Sequence, residues 1–269
     1  MNIYETVTRF YQEYDGEKCV VGRSTQNRAI YAFFVGSHQG KRCLCQYAMH
    51  AREWVTALLA LEHIRIGVPC GGVWILPLIN PDGTLLCQEG LKSVSSQSRR
   101  EMLGRITDDF TQWKANADAV DLNVNFDARW GTGKSNVSRP SSANFIGVRP
   151  FCAPENAALK NFTYRVRPDA TISWHSKGEE IYYRFHQSPL RLLRDYRLAR
   201  VLQKSTGYRL KNTPDSAGGY KDWCVEKLKI PAFTVEVGED VWTHPLDERA
   251  LPSIAAACGT AVAEFMKKL

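Results

Sequence analysis

No stretch of this 269-residue chain is apolar for anything close to the 18 or so residues that a membrane helix needs. The longest candidates, Val55–Leu61 and Val73–Ile79, are short and bounded by polar groups or proline. Met1–Tyr14 has neither a basic stretch nor an apolar core, so no secretory signal is expected there. The expectation is a soluble, cytoplasmic protein with no membrane partner, unless it is released or exported by another route. Internal repeats and low-complexity tracts are missing too. Eight cysteines, spread from Cys19 to Cys258, do not have the spacing of a disulfide framework and are expected as reduced thiols. Cys43 and Cys45 fall on one strand face, but a lone C-x-C without a second pair reads as core packing rather than a metal site. Charge of one sign is only in mild excess, with 35 Lys+Arg against 28 Asp+Glu giving +7. The cations are mixed with acids throughout, which argues against a nucleic-acid partner. Only Arg184–Arg200 is dense. There Arg191, Arg194 and Arg197 recur every third residue, with Leu192, Leu193, Leu198, Val201 and Leu202 as the apolar side, the pattern of a solvated helix face. A charge of +7 stays compatible with an acidic substrate.

What is present is an ordinary globular composition, 44 % hydrophobic and 23 % charged, which excludes extensive disorder. Helices are expected at Tyr4–Tyr14, Glu53–Ile66, from Pro154 to about Arg165, at Leu190–Ser205, after Gly219, and at Glu248–Lys268. Strands are expected at Cys19–Arg23, Ala29–Val35, Arg42–Tyr47, Val73–Leu78, Ala170–Trp174, near Tyr208 and at Ala232–Val237. Asn80-Pro81-Asp82-Gly83 reads as turn chemistry. The polar segment from about 90 to 150 reads as a long functional loop. Strands alternating with helices predict a single-domain α/β/α sandwich over residues 1–269, around a central mixed, largely parallel twisted sheet.

The chemistry concentrates at His50-Ala51-Arg52-Glu53, where a strand hands over to a helix. An imidazole at the strand end and a carboxylate in the first helical turn can converge on one cation, and zinc takes such nitrogen and oxygen ligands. His175, directly after the strand Ala170–Trp174, is the best third ligand, because functional groups of open α/β sheets gather at strand carboxyl ends. Glu236 closes an apolar strand, where an unused acid would be costly; beside three ligands it is the candidate general base. His38, His63, His186 and His244 have no comparable placement, and His63, beside Glu62, reads as surface.

With these residues and the runs Pro77–Gly83, Asp121-Leu122-Asn123-Val124-Asn125-Phe126, Ser173–Ser176, Gly218–Trp223 and Phe233–Glu236, the chain resembles the carboxypeptidase A-like zinc metallocarboxypeptidases along nearly its whole length. The resemblance implies one zinc held by His50, Glu53 and His175, Glu236 as base, and Arg52 polarising the scissile carbonyl. It also implies a substrate-facing role for Asn123. Two departures narrow the substrate. The family's exopeptidases carry an Arg that grips the terminal carboxylate where this chain has Val124, and Pro214 stands where their active-site Tyr is found. Lys221, at the position that forms the bottom of the family's specificity pocket, favours a side chain ending in a carboxylate. Diaminopimelate has such a side chain, and Glu179 or Glu180 could take its amine.

These features, with the runs 176–183 and 216–223, resemble the bacterial γ-D-glutamyl-meso-diaminopimelate peptidases. The expected function is zinc-dependent hydrolysis of that bond in peptidoglycan stem peptides or muropeptides, through zinc-activated water. Tyr220, Ser176, Lys177 and Glu180 join Asn123 and Lys221 as expected substrate contacts. A carboxypeptidase acting on ordinary C-termini is the alternative, with Arg129 or Arg139 replacing the lost Arg; under either enzyme reading one long-loop Arg (Arg99, Arg100 or Arg105) is expected to assist the oxyanion. A non-catalytic binder of wall fragments would need no base, so the presence of Glu236 argues against it.

Overall fold

The computed structural model describes residues 1–269. Helix α1 (Ile3–Glu13) precedes strands β1 (Lys18–Arg23), β2 (Ala29–Gly36) and β3 (Arg42–Tyr47). Helix α2 (Val55–Ile66), β4 (Gly72–Leu76), α3 (Pro81–Glu89) and α4 (Gln97–Gly104) follow. After a long irregular segment come α5 (Pro154–Val166), β5 (Ala170–Ser176), β6 (Glu180–Tyr182), α6 (Pro189–Thr206) and β7 (Arg209–Lys211). The chain closes with α7 (Tyr220–Trp223), β8 (Ala232–Val237), α8 (Leu251–Cys258) and α9 (Ala261–Met266).

The strands form one eight-stranded sheet in the order β1-β2-β4-β3-β5-β8-β6-β7. Its centre, β4-β3-β5-β8, is parallel, and the edges add antiparallel pairs at β1/β2, β2/β4 and β6/β8. All seven residues of β5 are buried, as expected of a strand covered on both faces. Alternation sorts its side chains. Ala170, Ile172 and Trp174 enter the core that α2, α6, α8 and α9 complete. Thr171, Ser173 and His175 therefore point to the other face, where α5 and α7 pack.

Several elements differ from the sequence expectation. Asn80–Gly83 is the start of α3 rather than a free turn. Asn80 caps the helix by accepting from Gly83 N at 2.9 Å, and its amide donates to the carbonyls of Met49 and Ala115, each at 3.1 Å. Buried His63 is a core residue, not a surface one: Nδ1 meets the Tyr47 hydroxyl at 2.6 Å and Nε2 the Cys258 carbonyl at 2.9 Å. Leu193 is 48 % exposed and leaves the apolar side of α6 to Ala199 and Leu202. The closing helix breaks at Gly259-Thr260, between α8 and α9. The segment expected as loop contains helix α4 and is otherwise irregular but packed, with Phe110, Trp113, Phe126 and Phe145 buried. Its hydrophobic anchors are too widely spaced to show periodicity. All eight cysteines are free, and Cys43 and Cys45 lie in the core with their sulfurs 4.0 Å apart. No helix is long and apolar enough to cross a membrane.

Two expected outcomes follow from these contacts. Asn80→Ala removes three buried hydrogen bonds, one of them the helix cap, so its denaturation midpoint should fall by the equivalent of about 2–3 kcal/mol. Burial pushes the His63 imidazole down to about 4, so the folded state binds fewer protons there than the unfolded chain does. The stabilisation is complete above the unfolded histidine pKa and is lost as pH falls from about 6.5 towards 4, amounting to roughly 2 kcal/mol at pH 5. An NMR titration should find the His63 ring still neutral at pH 5.5; a protonated ring there would refute this.

Candidate metal centre

Two strand ends and the turn between β3 and α2 converge to build the site. β3 delivers His50 three residues beyond its end, a short 3-10 turn (Ala51–Glu53) turns Glu53 inward, and β5 carries His175. The approach is held by backbone bonds from Ile79 N and Asn80 N to the carbonyls of Tyr47 and Ala48, at 3.1 and 3.2 Å. Thr56 pins the turn, donating to Glu53 O at 2.8 Å while accepting from Ala48 N at 2.9 Å.

The donor atoms of His50, Glu53 and His175 all lie within 4.8 Å of one another, and all three residues are buried. Glu53 Oε1 is 2.8 Å from His50 Nδ1, and Oε2 is 2.9 Å from His175 Nδ1. The two Nδ1 atoms face each other at 3.1 Å. Two imidazole nitrogens and a carboxylate aimed at one point are a nitrogen/oxygen set suited to zinc, which takes three protein ligands in catalytic sites and leaves a fourth position open. His175 Nε2 is buried with no partner, so Nδ1 is the nitrogen that the structure turns towards the common point.

Asp121 stands behind this set. Its Oδ1 lies 3.4 Å from His50 Nε2 and its Oδ2 lies 3.1 Å from Lys114 Nζ. Burial opposes its charge, but Lys114 and His50 together hold the carboxyl far below the usual range. His50 Nε2 makes no hydrogen bond, but a carboxylate this near the outer nitrogen is placed to orient the ring, as partners of metal-binding histidines do.

Glu236 is the ladder partner of His175 across β5/β8, and Glu180 the partner of Glu236 across β6/β8. Residues directly opposite share a face, so the three line up above the sheet. Burial raises the Glu236 carboxyl to about 7; His175 and Lys114 pull it down, while Glu53 and Glu180 push it further up. A carboxyl poised near neutrality beside a metal-donor set can accept and return a proton.

The remaining candidates are placed unevenly. Arg52 reaches Gln112 only loosely, at 3.4–3.5 Å, and its Nε has no partner, leaving the guanidinium available. Ser176 donates its backbone N–H to Glu53 Oε2 at 3.3 Å, and its hydroxyl is unpartnered. Lys177 pairs with Asp240 at 3.2 Å. Glu180 accepts from the Tyr182 hydroxyl at 2.6 Å and pairs with Lys211, so it carries little free charge for a substrate amine. Asn123 lines a cavity of about 370 Å³ with Lys114, Val124, Asn136, Asn144 and Ser216.

Two expectations need correction. The Tyr220 side chain is fully buried, with its hydroxyl on Thr163 at 2.9 Å and its ring against Phe126, so it is not open to a substrate. Lys221 is buried too, and its ammonium is occupied by the Asp222 carboxylate and, at 2.9 Å, by the Arg184 carbonyl; a free ammonium in a specificity pocket is not what the structure contains. Of the arginines considered, Arg129 pairs with Glu226, Arg99 with Asp118, and Arg100 donates to the carbonyls of Val94 and Ser95.

Sequence reasoning missed Lys114, a cation beside the site through Asp121, and set His244 aside. His244 is half-buried, its ring Nδ1 is unpartnered and its carbonyl takes the Gln112 amide, beside Arg52. Burial pushes its imidazole down to about 4. Neither residue has a sequence signature, since each is brought in by irregular backbone. Only Asp121, inside a quoted run, was within reach.

Residues 72–253 match the profile of the family described as zinc carboxypeptidase. YqgT of Bacillus subtilis (strain 168), an uncharacterised protein, is 28% identical over 244 residues, 81% of this chain and 64% of its own length. The gamma-D-glutamyl-L-diamino acid endopeptidase 1 of Lysinibacillus sphaericus is 27% identical over 249 residues, 85% of this chain and 62% of its own. The chain thus spans a little under two thirds of the length of these relatives. Among solved structures, bovine thrombin-activatable fibrinolysis inhibitor superposes with a TM-score of 0.77 at 20% identity, covering 98% of this chain and 93% of that one. The murein-tripeptide amidase MpaA of Escherichia coli O157 gives 0.65 at 20% identity, covering 94% and 93%. At such identity these structures establish the fold.

His175→Ala should abolish most zinc binding by metal analysis of the purified, folded protein. Asp121→Asn should keep the ligands but weaken zinc about 10- to 100-fold in a chelator competition. Undiminished affinity in Asp121→Asn would show that Asp121 does not orient His50.

Proposed function

Because the chain belongs to the zinc carboxypeptidase family, we propose that it is a zinc peptidase, with one zinc per chain, that hydrolyses the γ-D-glutamyl-meso-diaminopimelate bond of peptidoglycan stem peptides or muropeptides. The observation that carries the reaction type is Glu236 beside His175 in the ladder, a near-neutral carboxyl next to a buried donor set. Zinc, when bound by His50, Glu53 and His175, supplies Lewis acidity and makes water nucleophilic at neutral pH. Glu236 is the group that takes the proton from water and passes it to the departing amine. Arg52 and Lys114 are the cations that can face a developing oxyanion, and Lys114 is held in place by Asp121.

The substrate class is supported by the named activity of the Lysinibacillus relative and by what surrounds Val124. The cavity wall there consists mainly of amides and hydroxyls, and no guanidinium lines it. Arg129, the first substitute considered for the lost Arg, is tied to Glu226. Arg139, the other substitute considered, does not line that cavity, so within its wall no residue makes a bidentate grip on a free C-terminal carboxylate, the usual device of an exopeptidase. One observation favours a second reading, removal of ordinary C-terminal residues: the Lys114 ammonium lines the same cavity and offers a single charge.

Mass spectrometry of products from defined muropeptides and from plain peptides ending in Asp or Glu separates the two. Cleavage between D-glutamate and diaminopimelate is the expected result, and trimming of plain C-termini alone would overturn it. Glu236→Gln should retain zinc and fold while losing roughly 10²-fold or more in rate, because proton transfer is removed. Near-normal turnover would place the base elsewhere.

A further inference from the structure

Two hollows of the molecule lie away from the metal centre. One of about 880 Å³ runs along α6 against α9, and a second of about 680 Å³ lies at the start of α6 beside the amino ends of β5 and β8. They share Arg197, Leu198 and Lys268 and so adjoin, and together they make up the trough along α6. Because α6 packs through Ala199 and Leu202 on the Trp174 face of the sheet, the trough and His175 are on opposite faces.

Its charge is one-sided. Asp169 is matched by Lys41 at 2.8 Å, Glu264 by Lys267 at 2.6 Å, and Arg194 by the buried Asp195 at 2.7 Å. Arg197, Arg200, Lys204 and Lys268 are exposed and form no ion pair; Arg200 touches only the neutral Gln203, at 2.7 Å. Arg197, Arg200 and Lys204 are spaced i, i+3 and i+7 along α6, so they form one row spanning roughly 10 Å at 1.5 Å per residue. Four unmatched cations along a concave floor complement a chain of phosphates laid lengthwise.

We infer that the trough along α6 is a docking site for a linear phosphodiester polymer without bases, of the polyol-phosphate kind. The lining carries no Phe, Tyr or Trp, so it lacks the stacking platforms by which single-stranded nucleic acids are held. Its concave form suits a strand better than the plane of a lipid bilayer. This inference does not depend on the reaction assigned to the metal centre.

The test uses the full chain and a fluorescent poly(glycerol phosphate) of about ten repeats. Binding should weaken with salt with a log–log slope near −3, about 0.7 for each of the four cations. The double variant Arg197→Gln/Lys204→Gln should bind at least 10-fold more weakly and with a shallower slope, while its zinc content and its hydrolysis of a small soluble muropeptide stay unchanged. Two further arms use single-stranded DNA with the same number of phosphates and anionic phosphatidylglycerol vesicles, and both should bind more weakly. Absent polymer binding, or an unaffected double variant, would overturn the site. DNA or vesicles binding as tightly as the polymer would overturn the choice of occupant.

Discussion

The parallel pairing of β5 with β8 is the constraint on which the site depends. It sets His175 directly opposite Glu236, so that an imidazole of the donor set and a carboxylate come to share one face at one level. β3, pairing with the other edge of β5, brings the His50 turn to the same end. A slip of one residue in either ladder would turn every side chain of the strand to the opposite face. The fully buried centre resists such a slip, because Trp174, Phe233 and Val235 would then have to leave the core for the side of the sheet that carries the chemistry.

Onto that frame the chain adds charge in opposed layers. Glu53 lies between two imidazoles, Asp121 lies behind one of them, and Lys114 lies behind Asp121. Each charge is buried beside its complement, which offsets the desolvation that would otherwise neutralise it. Glu236 lacks a close partner of this kind, and its carboxyl is pushed up accordingly. The difference between a fixed carboxylate and a proton-exchanging one is therefore set by neighbours, not by residue type.

Much of this was legible in the sequence. The buried strands and the amphipathic helices follow from periodicity; His50, Glu53, His175 and Glu236 stood out as polar groups at strand ends and in a first helical turn, and the roles expected of them came from the family resemblance. What escaped has definite causes. Asn80–Gly83 contains turn-forming residues that are equally good at starting a helix, and only the partners of the Asn80 amide decide between the two. His63 sits beside a charged residue but on the inner side of α2, where Tyr47 and Cys258 satisfy both ring nitrogens. Lys221 looked free because the acid that occupies it, Asp222, is its immediate neighbour and was read as part of the motif. Lys114 and His244 arrive on segments held by side-chain and irregular backbone bonds, which have no period to detect.

The order of the ligands along the chain has a kinetic consequence. His50 and Glu53 are local to each other, but His175 and Glu236 reach them only after the central strands have paired across long sequence separations, which is the slow part of assembling such a topology. A half-formed sheet offers an ion at most a neighbouring His–Glu pair, the kind of weak, transient ligand set that many unfolded chains present. Tight capture of the metal thus coincides with completion of the sheet, and the ion stabilises only chains that have reached the native topology.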